Sequence, residues 1–227
     1  MNEMTKAELA AMIDHTFLKP AGEPDAVEKL CAEAKKHKFA CAMVHPAEVS
    51  NAVKYLGRSK IRVGTVIGFP LGQNTVEIKI AEGVACVVAG AKDIDLVVNI
   101  RRLKEAAVSK DARQALLADL RSFVKQVRVK DDLCLKLIIE CCCLNRKEKI
   151  LACKLAKLAR FDFVKTSTGF GSGGATIEDV KLLRKTVGPD MGVKAAGGIR
   201  TRADALAMIE AGANRIGTSA GVAILVK

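Results

Sequence analysis

Three lysines interrupt apolar runs of strand length, and that placement invites one kind of chemistry. Lys136 lies in Leu133-Cys134-Leu135-Lys136-Leu137-Ile138-Ile139, Lys165 closes Phe161-Asp162-Phe163-Val164-Lys165, and Lys194 sits in Met191-Gly192-Val193-Lys194-Ala195-Ala196. A fourth run, Ile94-Asp95-Leu96-Val97-Val98, carries Asp95, with Asp93 just ahead of it. Side chains alternate faces along a strand, so each charge must point one way or the other. Under apolar helices an ammonium without a partner is costly; gathered into one cavity with a carboxylate, the charges compensate one another. An amine crowded by like charge or stripped of water has a lowered pKa and attacks a carbonyl as the free base. The Schiff base so formed is an electron sink for making or breaking a carbon–carbon bond, while a carboxylate and a second lysine move protons through water. The same four residues also suit a buried ion-pair network that only holds strands together, because structural networks perturb pKa too.

Glycine-rich segments follow these runs. Thr168-Gly169-Phe170-Gly171-Ser172-Gly173-Gly174 comes after Lys165, Gly197-Gly198-Ile199-Arg200 after Lys194, and Gly217-Thr218-Ser219 closes the last run. Backbone N–H groups at such turns and at helix starts bind phosphate, although ordinary tight turns use the same residues. None of the segments matches GxxxxGKS/T or a GxGxxG between strand and helix, so a nucleotide loop is not supported. His15, His37 and His45 lack HExxH spacing, and the eight cysteines form no CxxC pair, with Cys141, Cys142 and Cys143 adjacent. No metal site is expected.

The elements that must carry these residues alternate from end to end. Apolar runs of strand length are Ile13 to Leu18, Phe39 to Val44, Ile61 to Phe69, Ile94 to Ile100, Leu133 to Ile139, Phe161 to Val164, Met191 to Ala196 and Asn214 to Thr218. Between them Pro24 to Lys36 opens with Pro in a first-turn position and places Val27, Leu30, Cys31 and Ala34 on one face. Val76 to Ala89, Asp111 to Val127 and Arg146 to Leu158 keep a helical apolar period. Thr176-Ile177-Glu178-Asp179 and Thr201-Arg202-Ala203-Asp204 read as capping boxes. Near-continuous apolar strands with amphipathic crossovers mean a parallel sheet covered by helices. Eight such units without a linker predict an α/β fold, a single (β/α)8 TIM barrel, with residues 1–227 as one domain.

Composition narrows the function classes. Half of the 227 residues are hydrophobic, which excludes disorder. The longest nearly uncharged apolar stretch, Gly83 to Ala91, is short of the roughly 20 residues of a membrane helix, and Met1 to Lys6 has no apolar leader, so neither membrane insertion nor secretion is expected. The formal net charge of +12 invites a nucleic-acid reading, but one Tyr, no Trp and seven Phe leave few stacking platforms. Basic runs such as Lys35-Lys36-His37-Lys38 read as solvated helix surface, and lysines inside a barrel cannot reach an extended polyanion. Free cysteines in apolar runs point to a reducing compartment, hence the cytoplasm.

Around Phe163-Val164-Lys165-Thr166-Ser167-Thr168-Gly169-Phe170 the chain resembles the deoxyribose-phosphate aldolase family, and the likeness runs nearly end to end. It takes in Ile13-Asp14-His15-Thr16-Phe17-Leu18-Lys19-Pro20, Val66-Ile67-Gly68-Phe69-Pro70-Leu71-Gly72, Ile94-Asp95-Leu96-Val97-Val98-Asn99, Lys194-Ala195-Ala196-Gly197-Gly198-Ile199-Arg200 and Arg215-Ile216-Gly217-Thr218-Ser219. The resemblance implies a class I aldolase on a (β/α)8 barrel, with no metal and no organic cofactor. Its reaction is the reversible cleavage of 2-deoxy-D-ribose 5-phosphate to acetaldehyde and D-glyceraldehyde 3-phosphate. It implies Lys165 as the Schiff-base lysine, Lys194 as the lysine that lowers its pKa, Asp95 as the proton donor and acceptor, and Lys136 in the proton relay. Thr16 and Thr168 become substrate-hydroxyl contacts, and Gly169, Gly197, Gly198, Gly217 and Ser219 the phosphate site. The partners implied are the phosphorylated sugar and acetaldehyde, with the chain as a homodimer in the cytoplasm. Lys92-Asp93 replaces an acidic pair usual in the family, and Arg160-Phe161 stands where Gly-Ala is common. Some members extend to a tail ending in Tyr; here the sequence stops at Lys227 and Tyr55 is the only tyrosine. A different sugar-phosphate aldolase or epimerase on the same barrel is the alternative within enzymes, and a nucleic-acid binder on an inactive barrel the alternative outside them.

Overall fold

The structure, a computed structural model, describes residues 4–129 and 131–226. Met1 to Glu3 and Lys227, which enter the readings of the two chain ends, lie outside the described residues. Eight strands pair in sequence order, all parallel: β1 (Ile13–Thr16), β2 (Cys41–Val44), β3 (Arg62–Ile67), β4 (Asp93–Val97), β5 (Cys134–Ile138), β6 (Phe163–Lys165), β7 (Gly192–Ala196) and β8 (Arg215–Thr218). Pairing of β8 back onto β1, with Asp14 opposite Gly217, closes the barrel. Each apolar run of the sequence overlaps one strand. The helices are α1 (Lys6–Ala10), α2 (Ala26–His37), α3 (Val49–Leu56), α4 (Val76–Val88), α5 (Ile100–Val108), α6 (Lys110–Val127), α7 (Arg146–Leu158), α8 (Ile177–Val187), α9 (Arg202–Glu210) and α10 (Gly221–Val226).

Strand alternation sorts the side chains into two cores. Ile94, Leu96, Leu135, Leu137, Val164, Val193, Ala195 and Ile216 face outward and join the buried faces of the helices. The alternate positions face inward, where Leu18, Cys41, Met43 and Val66 form an apolar cluster with Phe69 packed against it. Gly64 makes room for it, because a Cβ there would lie 2.2 Å from Met43 Sδ and 2.7 Å from Cys41 Sγ. The rest of the interior mixes charge with apolar side chains: Val97 and Ile138 share the inward parity of Asp95 and Lys136, and the Phe163 ring centroid lies 5.8 Å from Lys136 Nζ.

Three local readings are corrected by the structure. Pro24 does not sit in the first turn of α2; the Ala26 amide donates to the Glu23 carbonyl, so Pro24 is the second residue of a β-turn and the helix starts after Asp25. Thr201 and Asp204 form a full capping box at α9, but Thr176 only accepts from the Asp179 amide. The Asp179 carboxylate is drawn instead to Lys149, 2.5 Å away on α7. Residue 100 also leaves its strand reading: Asn99 caps α5, which Ile100 begins.

Candidate active site

The central group is Asp95, fully buried on β4 and flanked by three lysines from three other strands. Lys165 Nζ, at the end of β6, donates to Asp95 Oδ2 at 2.9 Å, and Lys194 Nζ on β7 donates to the same oxygen at 2.8 Å. Lys136 Nζ on β5 lies 3.2 Å from Asp95 Oδ1 and donates to Asp93 Oδ2 at 2.7 Å. The Lys136–Oδ1 approach does not meet hydrogen-bond geometry, so Asp95 Oδ1 is a buried carboxylate oxygen with no hydrogen-bond partner among the described residues. Register accounts for the meeting: Asp95 stands opposite Lys136, and Lys165 opposite Lys194.

Asp93 and three residues not singled out in the sequence, Asp14, Arg62 and Arg215, complete the network. Lys194 Nζ also donates to Asp14 Oδ2 at 2.5 Å, and Arg215 donates to Asp14 Oδ1 at 2.9 Å. Arg62 donates to Asp93 Oδ1 at 2.5 Å, so Asp93 serves the interior while Lys92 turns out to pair with Asp132 at 2.7 Å. Strand parity was the available signal, since Asp14, Arg62 and Arg215 share the inward face with Thr16, Gly64 and Gly217. Five cations thus face three carboxylates, and Lys165 is the lysine with a single carboxylate contact.

That imbalance sets the protonation states. Burial drives the Lys165 ammonium down, the Asp95 charge opposes the fall and Lys194 adds to it; the result is about 8. Removal from water, more than the Lys194 charge, therefore activates the amine. Lys194 and Lys136 are buried too, but Asp14 with Asp95, and Asp93 with Asp95, hold them above the ordinary lysine range. Burial would raise Asp95, yet Lys136, Lys165 and Lys194 together hold it well below the usual carboxylate range. At neutral pH the site holds one readily deprotonated amine beside two ammonium ions and a carboxylate.

Above this network opens a cavity of about 290 Å³ at the C-terminal ends of the strands. Lys165, Thr16, Thr168, Gly169, Gly197, Gly198, Gly217 and Ser219 all line it, as do Lys19 and Arg200. Lys194, Asp95 and Lys136 lie in the barrel interior instead. Gly169, Gly197 and Gly198 have φ of +87°, +86° and +81°, a region that favours glycine. Among the described residues, the amides of Gly169, Gly198 and Ser219 donate to no protein acceptor, which leaves N–H groups for an anion. Gly174 lets the two glycine loops touch: a Cβ there would meet the Gly197 carbonyl oxygen at 2.2 Å. Thr16 donates to the Asp14 carbonyl at 2.9 Å, and the Thr168 hydroxyl is held by the buried Glu140 carboxylate.

The three-residue group with metal-ligand spacing, Asp14, Cys41 and Asp93, has its carboxylates taken by Lys194, Arg215, Lys136 and Arg62. Among the described residues no helix is long and apolar enough to cross a membrane. The basic run Lys35, Lys36 and Lys38 is exposed on and after α2, on the outer layer.

Comparison with known proteins gives consistent matches. Residues 9–227 match the model of a family described as DeoC/LacD family aldolase. The chain is 51% identical over 217 residues to a deoxyribose-phosphate aldolase of Thermoanaerobacter sp. (strain X514), covering 96% of this chain and 95% of that one. It is 51% identical over 224 residues to a deoxyribose-phosphate aldolase of Clostridium perfringens (strain SM101 / Type A), covering 97% and 96%. The structure of a deoxyribose phosphate aldolase from Aeropyrum pernix, described as a tetramer, superimposes with a TM-score of 0.86 at 33% identity, over 97% of this chain and 91% of that one.

Proposed function

The chain belongs to the DeoC/LacD aldolase family, and from that membership we propose that it is a lyase, a class I aldolase that reversibly cleaves 2-deoxy-D-ribose 5-phosphate to acetaldehyde and D-glyceraldehyde 3-phosphate. The observation that carries the residue roles is the Lys165 amine, lowered to about 8, at the floor of the cavity and 2.9 Å from Asp95.

In this reading Lys165 Nζ attacks C1 of the open-chain sugar, and the carbinolamine loses water to give the protonated Schiff base. Asp95, through its unpartnered Oδ1 and an intervening water, takes the proton from the C3 hydroxyl, with Lys136 beside it supplying the positive charge of the relay. The C2–C3 bond breaks, its electrons pass into the iminium as an enamine, and C3 leaves as the aldehyde of glyceraldehyde 3-phosphate. Protonation of the enamine at C2 and hydrolysis release acetaldehyde and restore the amine. Lys194 remains charged throughout, held by Asp14 and Asp95, and disfavours protonation of Lys165. The free amides of Gly169, Gly198 and Ser219, with Gly197 and Gly217 allowing close approach, take the phosphate, and Thr16 and Thr168 face the sugar hydroxyls. Residues 1–227 act as one catalytic domain. The chain works as a homodimer in the cytoplasm, where thiols such as the buried Cys31 and Cys153 stay reduced; light scattering of the purified protein tests the dimer.

Acetaldehyde released from 2-deoxy-D-ribose 5-phosphate, followed with a coupled dehydrogenase, tests the reaction. The wild-type chain turns it over and Lys165→Leu does not. Equal turnover by the two would remove Lys165 from the mechanism, and no release by the wild type would remove the reaction.

A further inference from the structure

Glu140 is a buried carboxylate that the mechanism above does not use. It follows β5 with φ +53° and ψ +71°, a left-handed conformation unusual for a residue other than glycine. The flanking amides of Ile139 and Cys141 donate to the carbonyls of Lys165 and Thr166 at 3.0 and 2.8 Å, so the kink is clamped to the strand that bears the Schiff-base lysine. Glu140 is 4% exposed, and no cation pairs with it among the described residues. Its two oxygens are 3.3 Å from the Thr168 amide, and Oε2 accepts the Thr168 hydroxyl. Thr168 Oγ1 in turn accepts from the Phe170 amide at 3.0 Å. Gly171 closes over the carboxylate; a Cβ there would come within 3.2 Å of Glu140 Cδ.

A buried carboxylate without a counter-charge is costly unless its acceptor capacity is used. Apart from a long contact from Cys142 Sγ at 3.8 Å, that capacity is used on Thr168, which lines the cavity beside Lys165. Resting on the aldolase reading, we propose that Glu140 is a positioning residue that fixes the direction of the hydrogen bond Thr168 offers the substrate. The Thr168 proton is committed to a charge-assisted bond that a neutral sugar hydroxyl cannot displace. One lone pair of Oγ1 is committed to Phe170, so the remaining lone pair can only accept. The site therefore selects a substrate that donates a hydroxyl proton to Thr168, and Glu140 enforces that polarity without touching the sugar.

The test is a double-mutant cycle of Glu140→Gln and Thr168→Val, read on cleavage of 2-deoxy-D-ribose 5-phosphate and on borohydride trapping of acetaldehyde, which carries no hydroxyl. Glutamine keeps the volume but sets a donor beside the Thr168 amide and hydroxyl. Either single variant raises KM about tenfold, the worth of a hydrogen bond to a polar partner, and the double variant is no worse than Thr168→Val alone. Acetaldehyde trapping keeps its wild-type rate in Glu140→Gln. Multiplying losses, an unchanged KM in Glu140→Gln, or trapping that falls in step with cleavage would each overturn the proposal. Should Glu140→Gln not fold, a wild-type KM in Thr168→Val overturns it as well. The wild-type cleavage run alongside separates failure of this inference from failure of the aldolase reading.

Discussion

Lys165 differs from its two neighbours in having one carboxylate to share rather than two, and this arithmetic has consequences for stability as well as for reactivity. Below about pH 8 the folded chain must hold a proton on a buried amine that the unfolded chain holds easily up to about 10.5. At roughly 1.4 kcal/mol per pKa unit this costs the folded state about 3 kcal/mol at pH 7. Between about pH 8 and 10.5 the unfolded chain binds more protons than the folded one, so this contribution to stability rises with pH. Lys165→Met is therefore expected to abolish activity and yet to raise the urea unfolding free energy at pH 7 by about 2–3 kcal/mol, a gain that fades by pH 10. Loss of stability at pH 7, or the same gain at pH 10, would contradict the assignment. Lys194 is the opposite case, since its charge disfavours protonation of Lys165 while Asp14 and Asp95 keep it charged. Lys194→Met leaves both carboxylates freer to stabilise the Lys165 ammonium, so the acid limb of the kcat/KM profile should move to higher pH. Each unit of that movement removes about tenfold of the amine at neutral pH; a shift to lower pH would show that Lys194 does not act through charge.

The loops that finish each strand decide what the barrel can hold. Gly174 and Gly197 touch backbone to backbone, and the Ala175 amide donates to the carbonyls of Ala196 and Gly197 at 3.1 Å each. Gly174→Ala must part these loops, so KM for the phosphorylated sugar is expected to rise about tenfold while trapping of unphosphorylated acetaldehyde is spared; parallel loss of both would mean a global fault rather than a local one. At the end of α7, Arg160 takes φ +66°, which a non-glycine residue adopts at a cost of about 1–2 kcal/mol. Arg160→Gly should stabilise the chain by about 0.5–1 kcal/mol in thermal unfolding, the glycine's own chain entropy taking back the rest. The in-strand lysines and Asp95 were legible because a charge in an apolar run has only an interior to go to. Asp14, Arg62 and Arg215 were not, because each stands at the start or edge of its run, where a charge also fits solvent. Glu140 was hidden by a backbone kink that no spacing rule anticipates. Helices α1, α3, α5 and α10 are too short for a helical period to build up, and Ile100 reads as strand from its neighbours Leu96-Val97-Val98, although Asn99 has already turned the chain into α5.

Across the whole molecule the charge of +12 divides into an interior share and a surface share. The interior share is fixed by the barrel network, while exposed groups such as Lys19 and Arg200 stand at the rim of the cavity and act on whatever approaches. A surface of this sign draws a doubly negative phosphate ester and is screened by salt. KM for 2-deoxy-D-ribose 5-phosphate should accordingly rise several-fold between about 0.01 and 0.3 M salt, with that for unphosphorylated deoxyribose flat; equal behaviour of the two would remove steering from the account. The closed barrel itself ties these scales together, since it is the alternation of eight strands that brings lysines from β5, β6 and β7 onto a carboxylate from β4. One of those lysines is a nucleophile and the others are not. Borohydride reduction of the chain in the presence of acetaldehyde, followed by peptide mapping, tests this directly: a single stable ethyl adduct on Lys165 is expected, and an adduct on Lys136 or Lys194, or none on any of the three, would contradict it.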